Sequence, residues 1–310
     1  MTSETVAGPT GEVADVVRIL HLSDTHFLAE GRHNGVDTLA ATERVLAACS
    51  ELEPPDVVVV SGDVSEDGTP ESYELARSVI GSWAHGVGAP AIFAVGNHDR
   101  RAPFRAVLGD GHLASFSDIH GDAEEVRHGP RTDAPVDGVS IHDGLRVVTL
   151  DTSVPGAGRG ELAPASLAWL REVLAEPAPR GTVIVLHHPP LHPATRLHEA
   201  IRLRRPEALV EAVTGTDVRV MLAGHYHHAM TGVLSGIPVV VTPGVTNRTE
   251  TLVRYGTERA VRGSAATLVE LGPGANLTVT PQVVTHLQDG EPVLYFDEAA
   301  VEALILDQPA

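Results

Sequence analysis

Asp24-Thr25-His26, Gly62-Asp63, Gly96-Asn97-His98-Asp99, His187-His188 and Gly224-His225-Tyr226-His227 place carboxylates, imidazoles and one amide oxygen at five points along the 310-residue chain. Such a mixed oxygen and nitrogen donor set suits Mn, Fe, Co or Zn, and no thiolate lies among it to favour softer metals. Asp24 and His26 are spaced i, i+2, as are His225 and His227, which puts each pair on one face of an extended segment. A glycine precedes Asp63, Asn97 and His225, where a sharp turn or a close backbone approach needs no Cβ. Each cluster alone is weak: D-x-H is common in surface turns, and Gly-Asp after a strand is usually a turn. The force lies in five of them in order, each at a strand terminus.

The elements that must position these groups follow from the apolar runs. Val16–Ser23 reads as a strand, Asp37 as the N-cap of a helix running to about Leu52, and Asp56–Ser61, with four consecutive valines, as a strand buried on both faces. A helix covers Pro70 to about Trp83, with Pro70 in its first turn, and Ala91–Val95 is a short buried strand. The stretch 109–138 reads as a long loop or insertion. Leu145–Leu150, Thr182–Leu186 and Val218–Ala223 return to strand, with helices over Ala163–Ala175 and Arg205–Val213. Strands separated by Gly and Pro turns fill Thr231–Phe296, and a short helix spans about Glu298–Ile305. This alternation predicts an α/β layered domain with a mixed sheet arrangement. The organisation expected is a flexible N-terminus over 1–15, one domain over 16–297, and a C-terminal helix and tail over 298–310. In open α/β sheets functional groups gather beyond the carboxyl ends of the strands, and all five clusters sit there.

Composition removes several classes of function. The net charge is −19, from 22 basic and 41 acidic residues. Such a surface is a poor platform for a nucleic-acid polymer, whose binding releases counterions to Lys and Arg. It also repels small anions at long range, so a phosphate site would need a local positive centre, which metal ions supply. There is no lysine, which excludes a Schiff-base or pyridoxal phosphate lysine and a P-loop. Cys49 is the single cysteine; a buried helix position is expected for it, with no internal disulfide, as suits a reducing, cytoplasmic setting. No signal peptide or transmembrane run is visible. The sequons at Asn247 and Asn276 carry little meaning without a secretion signal.

The order D-x-H, G-D, G-N-H-D, H-H-P-P, G-H-x-H resembles the calcineurin-like metallophosphoesterase superfamily. With flanking text such as Leu150-Asp-Thr-Ser-Val-Pro-Gly and Leu186-His-His-Pro-Pro-Leu, it is more closely similar to bacterial class III cyclic nucleotide phosphodiesterases, over roughly residues 16–245. The resemblance implies a four-layer αββα sandwich, two packed mixed β-sheets flanked by helices. It implies two metal ions per chain, Mn and/or Fe favoured with Zn or Co as alternatives. One would be held by Asp24, His26, Asp63 and His227, the second by Asp63, Asn97, His187 and His225, with Asp63 bridging. A homodimer is also expected by resemblance. Glu66 stands where many relatives carry an Asp that orients the His of G-N-H-D, so Glu66, Asp67 or neither could partner His98. The loop 109–138 is longer than in close relatives.

The chemistry implied is attack on phosphorus by a hydroxide shared between the two metals, with both neutralising charge on phosphate. His98, beside the metals but not a ligand, is the candidate to bind phosphate with Asn97 and to protonate the leaving alkoxide, the alternative being a purely orienting role. His188 is expected to support the site by packing or a hydrogen bond. Arg32-His33-Asn34-Gly35 is either part of the substrate entrance or a solvated loop. Arg100 and Arg101 are expected in surface ion pairs, the alternative being contact with substrate phosphate, and His112, His120, His128 and His142 at the surface, the alternative being lid contacts. The function expected is a metal-dependent phosphodiesterase of 3′,5′-cyclic nucleotides, cAMP favoured. The alternative is a broad phosphodiesterase of glycerophosphodiesters or 2′,3′-cyclic nucleotides. A scaffold without catalysis would have lost ligands, and none is missing.

Overall fold

Along Val57–Val60 (β2) every side chain is buried because both faces of the strand pack. In the computed structural model, which describes residues 16–113 and 134–308, Val57 and Val59 point into one apolar core and Val58 and Val60 into another. The same alternation holds in Val17–Leu22 (β1), where Ile19 faces one way and Leu20 and Leu22 the other. A strand buried on both faces has a core on each side, and this dictates a layered structure.

Two six-stranded sheets form the layers. The first has the order β17-β16-β1-β2-β3-β4, with β3 at Ala91–Phe93, β4 at His112–Leu113, β16 at Ser264–Leu271 and β17 at Leu277–Val284. The second has the order β12-β13-β11-β9-β6-β5, with β5 at Gly138–His142, β6 at Leu145–Leu150, β9 at Thr182–Leu186, β11 at Val218–Ala223, β12 at Met230–Leu234 and β13 at Ile237–Val241. Their inner faces share one core: Ile19, Val57, Val59 and Ile92 from the first sheet, with Val147, Val183, Val185, Val220 and Leu222 from the second. On the outer face of the first sheet, Val45, Tyr73, Ile80, Ala84 and Phe104 pack from helices. On the outer face of the second, Leu167, Leu170, Leu209 and Val213 do the same. The result is the expected four-layer αββα sandwich.

The first outer helix, α1 (Thr38–Cys49), begins as its sequence demands: Asp37 accepts the Ala40 amide. Cys49 is buried at its end, and burial pushes its thiol up to about 11. The helix expected from Pro70 to Trp83 is interrupted. It is α-helical over Pro70–Ala76 (α2), opens into a π-turn over Arg77–Gly81, and resumes over Ser82–Gly86 (α3). The long loop expected over 109–138 is shorter than that at both ends, because β4 pairs antiparallel with β3, and β5 with β6; residues 114–133 lie outside the described residues, as do 1–15 and 309–310. Arg101–Leu108 (α4) has no sequence signal strong enough to have been expected. Two small three-stranded sheets flank the sandwich: Ser153–Val154 (β7), Ala157–Glu161 (β8) and Leu203–Arg204 (β10), and Asn247–Thr249 (β14), Glu258–Arg262 (β15) and Pro292–Phe296 (β18). Pro164–Val173 (α5), Arg196–Ile201 (α6), Pro206–Val213 (α7) and Glu298–Leu306 (α8) complete the order.

Strands β1, β2 and β3 are parallel neighbours, and so are β6, β9 and β11. Their carboxyl ends therefore lie along one edge of each sheet, and the five polar clusters are delivered to those edges.

Candidate metal centre

The residues after these strands leave the extended conformation at once. Asp24, His26, Asp63, His225 and His227 all have positive φ, between 43° and 68°. For non-glycine residues this is a costly region, tolerated where surrounding structure enforces it. The i, i+2 pairs therefore converge through left-handed turns, not through strand alternation as their spacing predicted. The turns are locked together: Asp24 N donates to Gly62 O at 3.1 Å, and His26 N to Asp63 O at 2.9 Å. Gly62 has φ +103°, and a Cβ there would sit 2.5 Å from His187 Nδ1. A Cβ on Gly96 would overlap the Asp63 backbone nitrogen. Both glycines are thus required for contact between clusters.

All seven candidate ligands meet in one place. Asp63 Oδ2 lies 3.2 Å from His187 Nε2 and 3.7 Å from His26 Nε2, while Asp63 Oδ1 accepts the His98 amide at 2.9 Å. Asp24 Oδ1 lies 3.2 Å from His227 Nε2 and 4.0 Å from His187 Nε2. Asn97 Oδ1 is 3.2 Å from His187 Nε2, and His26 and His227 bring their Nε2 atoms to 3.4 Å. Donor atoms of Asp24, His26 and His227 fall within 4.8 Å of one another, and so do those of Asp63, His187 and His225.

The ring orientations show what these groups are arranged for. His187 Nδ1 faces the Ser61 carbonyl at 2.9 Å, and His225 Nε2 the Ile201 carbonyl at 3.0 Å. A carbonyl only accepts, so both nitrogens donate. His26 Nδ1 donates to Glu66 Oε2 at 2.7 Å, and His227 Nδ1 to Asn247 Oδ1 at 2.8 Å. The remaining nitrogen of each ring is turned into the cluster. Burial lowers His26 to about 4 and His225 well below its ordinary value, so theirs is a lone pair. Against burial, Asp63 pushes His187 up to about 9 and Asp24 raises His227, so that without metal these two would hold a proton there. His187 Nε2 and His227 Nε2 face carboxylate oxygens of Asp63 and Asp24 at 3.2 Å, positions that share a cation, either a proton or a metal ion. Two buried carboxylates need positive charge beside them, which protons on two of the imidazoles or metal ions can supply, and the outward hydrogen bonds are those that orient metal-binding imidazoles. The donor set fits metal ions.

Around this cluster sit the remaining functional candidates. Glu66, whose role the sequence left open, is the partner of His98: its Oε2 lies 3.0 Å from His98 Nδ1. The same oxygen also takes His26 Nδ1 and, at 3.2 Å, His33 Nδ1. Burial would raise the Glu66 carboxyl, but bonds from the three imidazoles hold it far below the usual range. His98 is 38% exposed. Against burial, Asp63 and Glu66 push it up to about 10. Asp67, the other candidate partner, is bound to Ser65 and Thr69 instead. His33 stacks on His26 with ring centroids 4.5 Å apart, so the 32–35 segment reaches the site at His33. His188 supports from behind, with Nδ1 2.8 Å from Thr152 Oγ1 and Nε2 3.1 Å from Gly158 O.

Two expectations are corrected. Arg101 is not in a surface pair: its Nε donates to the fully buried Asp151 at 2.7 Å and its Nη2 to Ser153 O. His112 is not a free surface residue but a half-buried one, bonded to Ser140 Oγ at 2.6 Å and Thr149 Oγ1 at 3.1 Å. His142 is half-buried beside Ser140; His120 and His128 lie outside the described residues. Sequence reasoning missed Asn247, read only as a sequon, because nothing local ties it to a histidine 20 residues earlier on another element.

The layered fold and the cluster of carboxylates, imidazoles and amide at the strand ends define a phosphoesterase of the calcineurin-like kind; residues 17–229 match the family model for calcineurin-like phosphoesterases, and the chain belongs to that family. Among curated proteins it is 36% identical, over 89% of this chain and 86% of the relative, to a probable cyclic nucleotide phosphodiesterase of Rhodococcus erythropolis. It is 35% identical, over 86% of this chain and 77% of the relative, to a cAMP/cGMP dual specificity phosphodiesterase of Mycobacterium tuberculosis. Among solved structures, a purple acid phosphatase from yellow lupin (Lupinus luteus) seeds superposes with TM-score 0.54 at 13% identity, over 96% of this chain and 57% of that one; this likeness concerns the fold.

Proposed function

We propose that the protein is a two-metal phosphodiesterase of cyclic nucleotides, with 3′,5′-cyclic AMP as the favoured substrate. The observation that carries this reading is the convergence of His26, His187, His225 and His227 on the buried carboxylates of Asp24 and Asp63. Asp24, His26, Asp63 and His227 would hold one cation, and Asp63, Asn97, His187 and His225 the other. When bound, the cations supply Lewis acidity, which activates water near neutral pH and neutralises charge on the phosphoryl oxygens. Asp63, whose Oδ2 lies 3.2 Å from His187 Nε2 and 3.7 Å from His26 Nε2, would belong to both sets.

The rest falls to side chains of this chain. His98 gives its Nδ1 proton to Glu66 as a hydrogen bond, leaving Nε2 as the nitrogen that meets substrate. In the imidazolium form it binds a phosphate oxygen and donates a proton to the departing ribose oxygen. With its charge shared by bound metal, Asp63 would pull less on His98, and the proton affinity of His98 would come down toward the range useful for an acid. Asn97, whose Oδ1 lies 3.2 Å from His187 Nε2, would bind phosphate alongside His98. The relatives' names support the substrate class.

The test is a kcat/KM panel over cyclic AMP, cyclic GMP, 2′,3′-cyclic AMP, a glycerophosphodiester and a phosphomonoester, with metal content measured on the same protein. The 3′,5′-cyclic nucleotides are expected to lead. A faster monoester would overturn the diesterase reading, and a metal-replete protein without turnover would favour a scaffold.

A further inference from the structure

Outside the metal centre, arginine side chains line a cavity that is partly open to solvent. Between α1, the β15–β16 junction and residues 286–289 lies a cavity of about 220 Å³, lined by Arg32, Arg44, Arg262, Thr246, Ser264 and His286 among others. None of these is a proposed metal ligand. Two of the three guanidiniums have carboxylate partners, Arg32 with Asp37 at 3.9 Å and Arg262 with Glu291 at 3.2 Å, which leaves the charge of Arg44 to be met.

Arg44 makes the strongest demand. Its Nη1 donates to Ala40 O and its Nη2 to Ser264 Oγ, both at 3.3 Å, while its Nε is buried with no hydrogen-bond partner. Among the described residues no carboxylate pairs with it. Arg262 donates to Gly35 O at 3.0 Å and lies 3.2 Å from Glu291. Of the two acids in the lining neither reaches Arg44: Asp37 caps α1 through the Ala40 amide and lies 3.9 Å from Arg32, and Asp289 accepts the His286 amide at 2.8 Å. Ser264, accepting from Arg44, keeps its hydroxyl proton to donate.

We infer that this cavity is a second anion site, distinct from the metal centre, that takes a phosphate group through Arg44, Arg262 and Ser264. Planar guanidiniums match tetrahedral oxyanions with paired donors. The volume is below that of pockets enclosing whole organic ligands, so it admits free phosphate or the phosphate head of a monoester whose remainder lies outside. The site adjoins the metal centre through the chain: Arg262 pairs across the β14–β15 ladder with Asn247, which holds His227, and Thr246 donates to Asp24 O.

The experiment is equilibrium dialysis of metal-loaded, full-length protein and its Arg44→Gln variant against radiolabelled phosphate. Inhibition of bis(p-nitrophenyl) phosphate hydrolysis by phosphate is followed in parallel as a readout of the metal centre. The variant is expected to bind one phosphate per chain fewer while phosphate inhibition stays unchanged. Equal stoichiometry in the two proteins overturns the site, as does a loss at Arg44→Gln that merely tracks a change in inhibition. Ser264→Ala, expected to weaken the second site about tenfold, serves if Arg44→Gln does not fold. A competition arm with AMP separates the sources: displacement identifies a monoester head, and none identifies free phosphate. The dialysis readout does not depend on diester turnover, so failure of the phosphodiesterase reading would leave the stoichiometry comparison intact.

Discussion

Glu66 Oε2 is approached by His26, His33 and His98 within 3.2 Å, so a single oxygen ties a proposed metal ligand to the proposed acid. The two roles can be separated by mutation. His98→Ala removes the acid without touching a ligand, and kcat on cyclic AMP should fall by about 10²–10⁴ while metal content stays at the parent level. A variant that loses metal as well would show that His98 serves the cations rather than the leaving group. Asn247→Ala has the opposite signature. It frees His227 Nδ1 and should weaken metal affinity roughly 10–100-fold, read by chelator competition, with activity restored by excess metal. An unchanged affinity would mean that the backbone carbonyl of residue 247, 3.3 Å from the same nitrogen, suffices.

At the scale of elements, the site rests on turns held in left-handed conformations by bonds between strands, and behind one of them is a buried polar layer. Tyr226, between His225 and His227, stacks on His198 with centroids 4.7 Å apart, and His198 Nε2 lies 3.5 Å from Glu258 on β15. Burial lowers His198 to about 3 and pushes Glu258 up to about 7 from its ordinary 4.5. Near neutral pH the histidine is uncharged and offers the carboxylate no ion pair. The sign follows: below 4.5 Glu258 is protonated in both folded and unfolded chains, and as pH rises through 7 it must ionise in a buried place, which costs the folded state stability. Glu258→Gln should therefore raise Tm by roughly 5 °C at pH 8 and change it little at pH 5, by differential scanning calorimetry. A larger effect at pH 5 would contradict the assignment.

For the whole molecule the dominant quantity is charge. A surface at −19 repels an anionic diester before the metal centre can attract it, and salt screens that repulsion. On going from about 20 to about 200 mM NaCl, kcat/KM for cyclic AMP should rise roughly two- to fivefold, mainly through KM. A fall would show that local positive potential reaches beyond the site mouth. Among the described residues no helix is long and apolar enough to cross a membrane.

The strand alternation, the doubly buried valines and the five clusters were legible in the amino-acid order because each is a local pattern: side-chain period, turn residues and donor chemistry act within a few positions. The clusters that contain Asp24, His26, Asp63, Asn97, His187, His225 and His227 could be seen for that reason, and the resemblance to the family singled out these seven within them. What only the tertiary structure decided is how those positions meet. Left-handed turns, not strand alternation, aim the i, i+2 pairs. Glu66 rather than Asp67 faces His98, and Asn247 comes back across β14 to hold His227. Arg44 and Arg262, 218 positions apart in the numbering, share a cavity. Hydrogen bonds between distant segments have no signature in either segment alone, since a carbonyl or an amide looks the same wherever the chain carries it.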